Sequence, residues 1–314
     1  MTPTGPRWQA VLNQELQRGR RQLLLASIRP EARQREKAIH ETRKTIKKLR
    51  AACRLIAAIR IEAEVGAKAD ATPHKALREV AFHLRNAAKA LGTVRDGVIL
   101  RRTARRTAKE AGISPSQAQA GLLRRCFKEK AGDAAIPIRF ALAELAKTTP
   151  LLAQFPWTEI GPDGDGLALA NGLKRIWRRG REAMRRAERK GPGKASNKAL
   201  HRWRKWTKDL HYNLGFAALA PSAALARIEN LRETSGKLAR LLGDDHDLAL
   251  LEERLPHPPG PNRNQHDPPP RALQKYIRTA RRQLQKKAFR QGRRLYGSFS
   301  LSFRPCSRVR NEPT

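Results

Sequence analysis

Apolar residues recur every three or four positions along most of the chain, and no segment alternates apolar and polar residues as a half-buried strand does. Helix-forming residues dominate and β-branched residues are sparse. Clusters of Pro, Gly, Ser and Asp interrupt this pattern near residues 30, 71–73, 114–115, 133, 150–166, 191–193, 221–222 and 256–270. The pattern therefore predicts an all-α fold with helices of roughly 15 to 30 residues.

The interruption at 150–166 divides the chain near its middle. About four substantial helices are predicted on each side, enough for one helix bundle per half. We therefore expect residues 1–314 to form one domain with a first helical half at 1–160 and a second at 161–314. The second half ends in a strongly basic stretch, Arg271 to Arg310, which we interpret as a C-terminal tail able to contact granules, nucleic acid or membranes.

Two motifs occur twice and in the same order. IHETRKTIKKLR at 39–50 matches LHRWRKWTKDLHY at 200–212, with an offset of 161 residues between the two histidines. LGTVRDGVIL at 91–100 matches LGDDHDLALL at 242–251, with an offset of 151 residues. Two ordered matches favour an internal duplication over a chance likeness between basic helices. We interpret the second motif of each half as a turn after a Leu-Gly helix ending.

The first motif of each half places cations on one helix face and apolar residues on the other. The predicted cationic faces comprise His40, Arg43, Lys44, Lys47, Arg50 and Arg54 in the first copy, and His201, Arg204, Lys205 and Lys208 in the second. The predicted core faces comprise Ile39, Ile46, Leu49, Cys53 and Ile56, and Leu200, Trp203, Leu210 and Leu214. Stacked like charges cost a few tenths of a kcal/mol per pair, so a multivalent anion would stabilise these faces. A merely solvated surface is the alternative.

Charge and cysteine usage narrow the possible partners. The 66 Lys and Arg residues against 28 Asp and Glu residues give a net charge of +38, which points to nucleic acid, an anionic membrane surface or a phosphate compound. Cys53, Cys126 and Cys306 show no C-x-x-C spacing, so a disulfide framework or zinc site is not expected. The longest early apolar run is too short for a signal peptide or membrane span, so we expect a soluble, cytoplasmic protein.

The motif histidines lie among cations, which disfavour protonation, so neutral imidazoles are expected until a bound anion raises their pKa. They are candidate hydrogen-bond donors to phosphate, and half-buried histidines with a backbone partner are the alternative. Metal binding by Asp244-Asp245-His246-Asp247 is disfavoured, because this segment belongs to the repeated turn. No Walker-type loop or nucleophile with its base is present.

These paired motifs resemble the CHAD domain, the conserved histidine α-helical domain. The resemblance implies two pseudo-symmetric four-helix bundles around a central basic cavity, binding of inorganic polyphosphate, frequent localisation to polyphosphate granules, and neither catalysis nor a cofactor. By motif match, the implied anion contacts are His40, Arg43, Lys47, Lys48, Arg50, Arg54, Arg95, His201, Arg204, Lys205, Lys208 and His246. Basic residues preceding each turn are further candidates, namely Arg85, Lys89, Lys237 and Arg240.

Several features modify this interpretation. Asp96 and Asp247 are expected to orient neighbouring cations or cap a helix, and not to catalyse. Asp209 and His211 replace Lys48 and Arg50, so the second cationic face should be less positive. Nonspecific binding of DNA or RNA is the main alternative, because counterion release favours any dense cationic surface. A phosphate-processing enzyme is a weaker alternative, since no carboxylates converge with the histidines. The pattern does not specify an oligomeric state.

Overall fold

The computed structural model describes residues 4–28, 31–63, 71–113, 134–159, 166–191, 195–219, 225–255 and 271–299. Within these ranges all regular secondary structure is helical and no strand occurs, which confirms the predicted all-α class. The helices are α1 (Thr4–Ile28), α2 (Ala32–Ala63), α3 (Ala71–Glu110), α4 (Ala135–Ala153), a short 3₁₀ helix (Trp157–Glu159), α5 (Gly166–Glu188), α6 (Asn197–Ala217), α7 (Leu225–Arg254) and α8 (Arg271–Leu295).

Helix packing brings the duplicated motifs together. In the first half, α1 and α3 each pack against both α2 and α4, and in the second half α7 packs against α6 and α8 while α5 packs against the same two helices. Between the halves, α2 contacts α5 and α6, and α3 contacts α7 and α8. The two helices that carry the His-containing motifs, α2 and α6, are therefore direct neighbours.

The predicted core faces of α2 and α6 are confirmed. Ile46 of α2 and Trp203 of α6 are both fully buried, as are the other apolar residues assigned to these faces. One connected set of buried apolar side chains includes members of all eight α-helices, so hydrophobic packing joins the two halves. Since the apolar faces point into this core, the cationic faces of α2 and α6 lie outside it.

The interpretation of the second motifs as turns is wrong. LGTVRDGVIL lies inside α3 and LGDDHDLALL lies inside α7. Leu91 and Leu242 are buried, and Gly243 does not adopt a positive φ, as only Gly112 and Gly191 do in the described chain. A glycine within a helix costs about 1 kcal/mol relative to alanine, and the burial of neighbouring leucines outweighs that cost.

The interpretation of the chain after residue 271 as a tail is also wrong for its described part. Residues 271–295 form α8, whose Leu273, Ile277 and Phe289 are buried. The indole Nε1 of Trp177 donates a hydrogen bond of 2.9 Å to the carbonyl oxygen of Leu295. Apolar residues at helical spacing fix this segment in the fold despite its many cations. None of the described helices is long and apolar enough to cross a membrane.

Candidate anion-binding cavity

A cavity of about 170 Å³ lies between α2 and α6, and we call it the central cavity. Its lining residues are Lys47, Arg50, Arg54, His201, Arg204, Lys205, Lys208, Asp209 and Tyr212. Both copies of the duplicated motif therefore contribute cations to the same cavity, although their positions are more than 150 residues apart in sequence.

Helical spacing explains how each helix presents these side chains. Lys47, Arg50 and Arg54 follow one another at intervals of three and four residues, which places them along one side of α2. On α6, the residues at 201, 204, 205 and 208 have the same spacing. The opposite side of each helix is buried in the core, so both sets of cations face the gap between the two helices.

An ion pair crosses the gap between the halves. Nη2 of Arg54 donates a hydrogen bond of 2.6 Å to Oδ1 of Asp209, which is 6% exposed. Burial raises the pKa of Asp209, while Arg54, Lys205 and Arg50 oppose that rise. Asp209 stands where the first motif copy has Lys48. This difference has a structural consequence, because the carboxylate holds Arg54 of the other half at the edge of the cavity.

The cations of the central cavity destabilise one another's charged forms. Burial lowers the pKa of Arg50, and the charges of Arg54 and Arg85 lower it further. Burial also lowers the pKa of Lys205, with added effects from Arg50 and Arg54. The Nε atoms of Arg50 and Arg54 are buried and have no hydrogen-bond partner within the described part of the chain. A bound anion would offset this repulsion and supply acceptors.

Two histidines meet beside this cavity. The rings of His201 and His246, on α6 and α7, have centroids 4.9 Å apart. Burial lowers the pKa of His246 to about 4, with further lowering by Arg204, His201 and Lys208. Burial also lowers the pKa of His201, and the positive charges of Arg204 and Lys205 lower it further. Both directions agree with the expectation of neutral imidazoles in the absence of an anion.

The structure places some predicted contact residues away from the central cavity. Nη1 of Arg43 donates a hydrogen bond of 2.6 Å to the carbonyl oxygen of Ala88 on α3. Lys48 pairs with Glu15 of α1. Lys48 lies about 100° around α2 from its neighbour Lys47, on the side where Glu15 of α1 is within reach. These two cations connect α2 to adjacent helices of the first half.

Other predicted residues have separate surroundings. Lys44 pairs with Glu41 at 3.6 Å, and Lys237 pairs with Glu233 at 2.6 Å, both on the surface. His40 and Asp247 line a different cavity of about 770 Å³. Arg85 is exposed on α3, and its charge lowers the pKa of Arg50 and of Lys205. Lys89 is exposed on α3, and Arg240 is exposed on α7. The side chains of Arg95 and Asp96 lie outside the described residues.

The four-residue acidic segment around His246 has a structural role through Asp245. Oδ1 of this buried carboxylate accepts hydrogen bonds from Nε of Arg281 at 3.2 Å and from Nε2 of Gln285 at 2.9 Å. Nη2 of Arg281 also donates to Oδ1 of Asn197 at 2.6 Å. These contacts tie α8 to α6 and α7, so they fix the helices that carry His201 and His246.

A second cavity, which no motif of the sequence predicts, shares part of its lining with the central cavity, and we call it the lateral cavity. It has a volume of about 220 Å³ and is lined by Arg54, Arg179, Glu182, Ala183, Arg186, Arg202, Lys205, Trp206 and Asp209. The two α5 arginines of this lining, Arg179 and Arg186, are seven residues apart, which places them on one face of the helix. That signal was not decisive in the sequence, because these arginines belong to the exposed face of an amphipathic helix, where cations are common.

Comparison with known proteins agrees with the resemblance drawn from the motifs. The model of the CHAD domain matches residues 66–256, more than half of the chain. The match includes α6 and both Leu-Gly motifs, whereas the first His-containing motif at 39–50 precedes it. No curated protein and no solved structure matches this chain.

Proposed function

The chain belongs to the CHAD domain family, and from that premise we propose that its central cavity binds inorganic polyphosphate. One observation carries the proposal: α2 and α6, the helices bearing the duplicated motif, place Lys47, Arg50, Arg204 and Lys208 around a single cavity. Family membership connects the chain to polyphosphate, and this arrangement supplies the residues that would contact it.

The shape and charge of the central cavity suit a linear polyanion. Its volume of about 170 Å³ is smaller than the roughly 300–1,000 Å³ of common drug-sized ligand sites, so an unbranched phosphate chain fits better than a nucleic-acid duplex. Arginine and lysine donate charge-assisted hydrogen bonds to phosphate oxygens. Because phosphates on one chain reach successive cations after the first contact, affinity should increase with chain length.

Three further parts of the proposal follow from the family. We propose that the two halves are four-helix bundles related by a pseudo-two-fold axis, which the ring of packed helices in each half supports. The protein acts as a binding domain without catalysis, since the carboxylate at the cavity, Asp209, is held by Arg54. Association with cytoplasmic polyphosphate granules is the expected consequence of such binding.

Nonspecific contact with DNA or RNA is the second candidate, and the outer surfaces of α5 and α8 favour it. Exposed cations are numerous on these surfaces and directly after α5, namely Lys174, Arg178, Arg185, Arg189, Lys190, Arg282, Lys286, Lys287, Arg290 and Arg294. A surface of this kind attracts any polyanion through counterion release. Polyphosphate binding in the central cavity should therefore be separable from nucleic-acid binding by mutation.

The test is competition between labelled polyphosphate and duplex DNA of equal total charge at about physiological salt, where exposed charges more than about 8 Å apart are largely screened. We expect polyphosphate to displace labelled polyphosphate far more effectively than DNA does. In the variant Arg50→Ala/Arg204→Ala, polyphosphate affinity should fall by about 3 kcal/mol, or about a hundredfold, at about 1.5 kcal/mol per lost charged hydrogen bond.

The matched control is Arg282→Ala/Arg290→Ala, which removes the same charge from the exposed surface of α8. This control should reduce DNA binding and leave polyphosphate affinity nearly unchanged. Arg50→Ala should not unfold the protein, because burial and neighbouring cations already disfavour its charged form. Equal displacement by DNA, or equal losses in the two double variants, would contradict specific binding in the central cavity.

A further inference from the structure

The central and lateral cavities are adjacent. Arg54, Lys205 and Asp209 line both of them, so the Arg54–Asp209 ion pair marks their shared border. The lateral cavity adds Arg179 and Arg186 from α5, a helix that does not line the central cavity. A continuous cationic path therefore leads from the gap between α2 and α6 toward α5.

The register of α6 produces this arrangement. The residues at 201, 204, 208 and 212 face the central cavity, whereas those at 202 and 206 face the lateral cavity. Lys205 and Asp209 lie between these two sides of the helix, at spacings of four residues, and reach both cavities. One helix thus presents two neighbouring rows of polar side chains to two connected spaces.

The lateral cavity has more cationic than carboxylate side chains in its lining. Arg179 pairs with Glu182 at 3.7 Å, and Arg54 pairs with Asp209 at 2.6 Å. Arg186 and Arg202 converge from α5 and α6 on the same concave space, together with Lys205. The indole of Trp206 is half-buried in this lining. A solvated surface would not require cations from two helices to converge on one recess.

We propose that the lateral cavity is a second phosphate subsite, and that one polyphosphate chain spans both cavities across the Arg54–Asp209 border. The inference rests on the proposed function, which it deepens by assigning a basis for chain-length selectivity. A short polyphosphate fills the central cavity alone. A longer chain also reaches Arg186 and Arg202, and this second contact is intramolecular once the first has formed.

The experiment compares tripolyphosphate with long-chain polyphosphate in binding measurements on the full chain at about physiological salt. The test variant is Arg186→Ala/Arg202→Ala, and the matched control is Arg185→Ala/Lys198→Ala. The control removes one exposed cation from each of α5 and α6, as the test variant does, but neither residue lines the central or the lateral cavity. The Tm of each variant establishes that the fold is retained.

We expect the test variant to bind long-chain polyphosphate about tenfold more weakly, with tripolyphosphate affinity unchanged. This loss is part of the roughly hundredfold or greater gain from a linked second contact, because Arg179 and Lys205 remain in the lateral cavity. The control should retain both affinities. The inference is overturned if long-chain affinity falls equally in the control, or if tripolyphosphate affinity falls equally in the test variant. Failure of the unaltered protein to bind either chain would overturn the proposed function itself, a result distinct from loss of chain-length discrimination.

Discussion

Replacement of Asp209 by asparagine tests the ion pair at the border of the two cavities. The change keeps the shape of the side chain and removes its charge. Arg54 then loses its ionic partner, and the nearby cations Arg50 and Lys205 lose the carboxylate that opposes their repulsion. The folded protein without ligand should therefore become less stable.

The structure sets the expected size of this loss. Removing one partner from a buried ion pair costs about 3–5 kcal/mol, and a hydrogen bond to a charged group is worth about 1.5–3 kcal/mol. The side chain of Asp209 is only 8% exposed, but that of Arg54 is 30% exposed and stays partly hydrated. We therefore expect a loss of about 2 kcal/mol and, for a chain of 314 residues, a Tm lower by about 3 °C.

Thermal unfolding with and without polyphosphate measures this effect. Polyphosphate should raise the Tm of Asp209→Asn more than that of the unaltered protein, because phosphate oxygens replace the missing negative charge beside Arg54. Glu233→Gln is the control, since it removes one carboxylate from an exposed pair with Lys237 and should leave the Tm unchanged. A wild-type Tm in Asp209→Asn, or an equal response of both proteins to polyphosphate, would refute the reasoning.

Three other predictions concern pH and packing. The pKa of His246 is about 4 in the folded protein and about 6.5 in an unfolded chain, so the unfolded state binds more protons between these values. Stability should fall as pH decreases from about 6.5 to about 4, and polyphosphate should reduce that fall in Tm measurements; a pH-independent Tm would contradict this. Gly292→Ala should lower the free energy of unfolding in urea by about 1–3 kcal/mol, because its Cβ would lie 2.5 Å from the Trp203 ring; wild-type stability would refute the packing of α8. Gly243→Ala should leave that free energy unchanged or raise it by up to about 1 kcal/mol, since the nearest atom would be 3.8 Å away; a large loss would mean that the motif needs a glycine conformation.

Features that depend on one helix at a time were predictable from sequence. The core faces of α2 and α6 follow from the spacing of apolar residues, and Ile46 and Trp203 are buried as expected. The prediction of a helix end at Gly243 was wrong. Glycine disfavours a helix locally, but the packing of Leu242 and Leu248 on either side of it outweighs that preference. The helix propensity of a residue depends on its own helix, whereas the packing of these leucines depends on contacts with other helices.

The composition of the candidate site depended on how the helices meet, which no local pattern specifies. Arg43 and Arg204 occupy equivalent motif positions, yet Arg43 binds the α3 backbone and Arg204 lines the central cavity. The contact between Arg54 and Asp209 joins residues 155 positions apart. Helical spacing predicted a cationic face on each helix, but the register of α2 against α6 determines which cations share a cavity.

The difference in charge between the two motif copies also has a physical explanation in the register of α2 against α6. The residue 161 positions after Arg54 is Gly215, and the residue 161 positions before Asp209 is Lys48. Each half therefore supplies the member of the ion pair that the other half lacks. Two identical copies would place either two like charges or a carboxylate without a cationic partner at this border. The difference between the two motif copies thus connects α2 to α6 by an ion pair, and it makes the second copy less positive at the point where the two cavities meet.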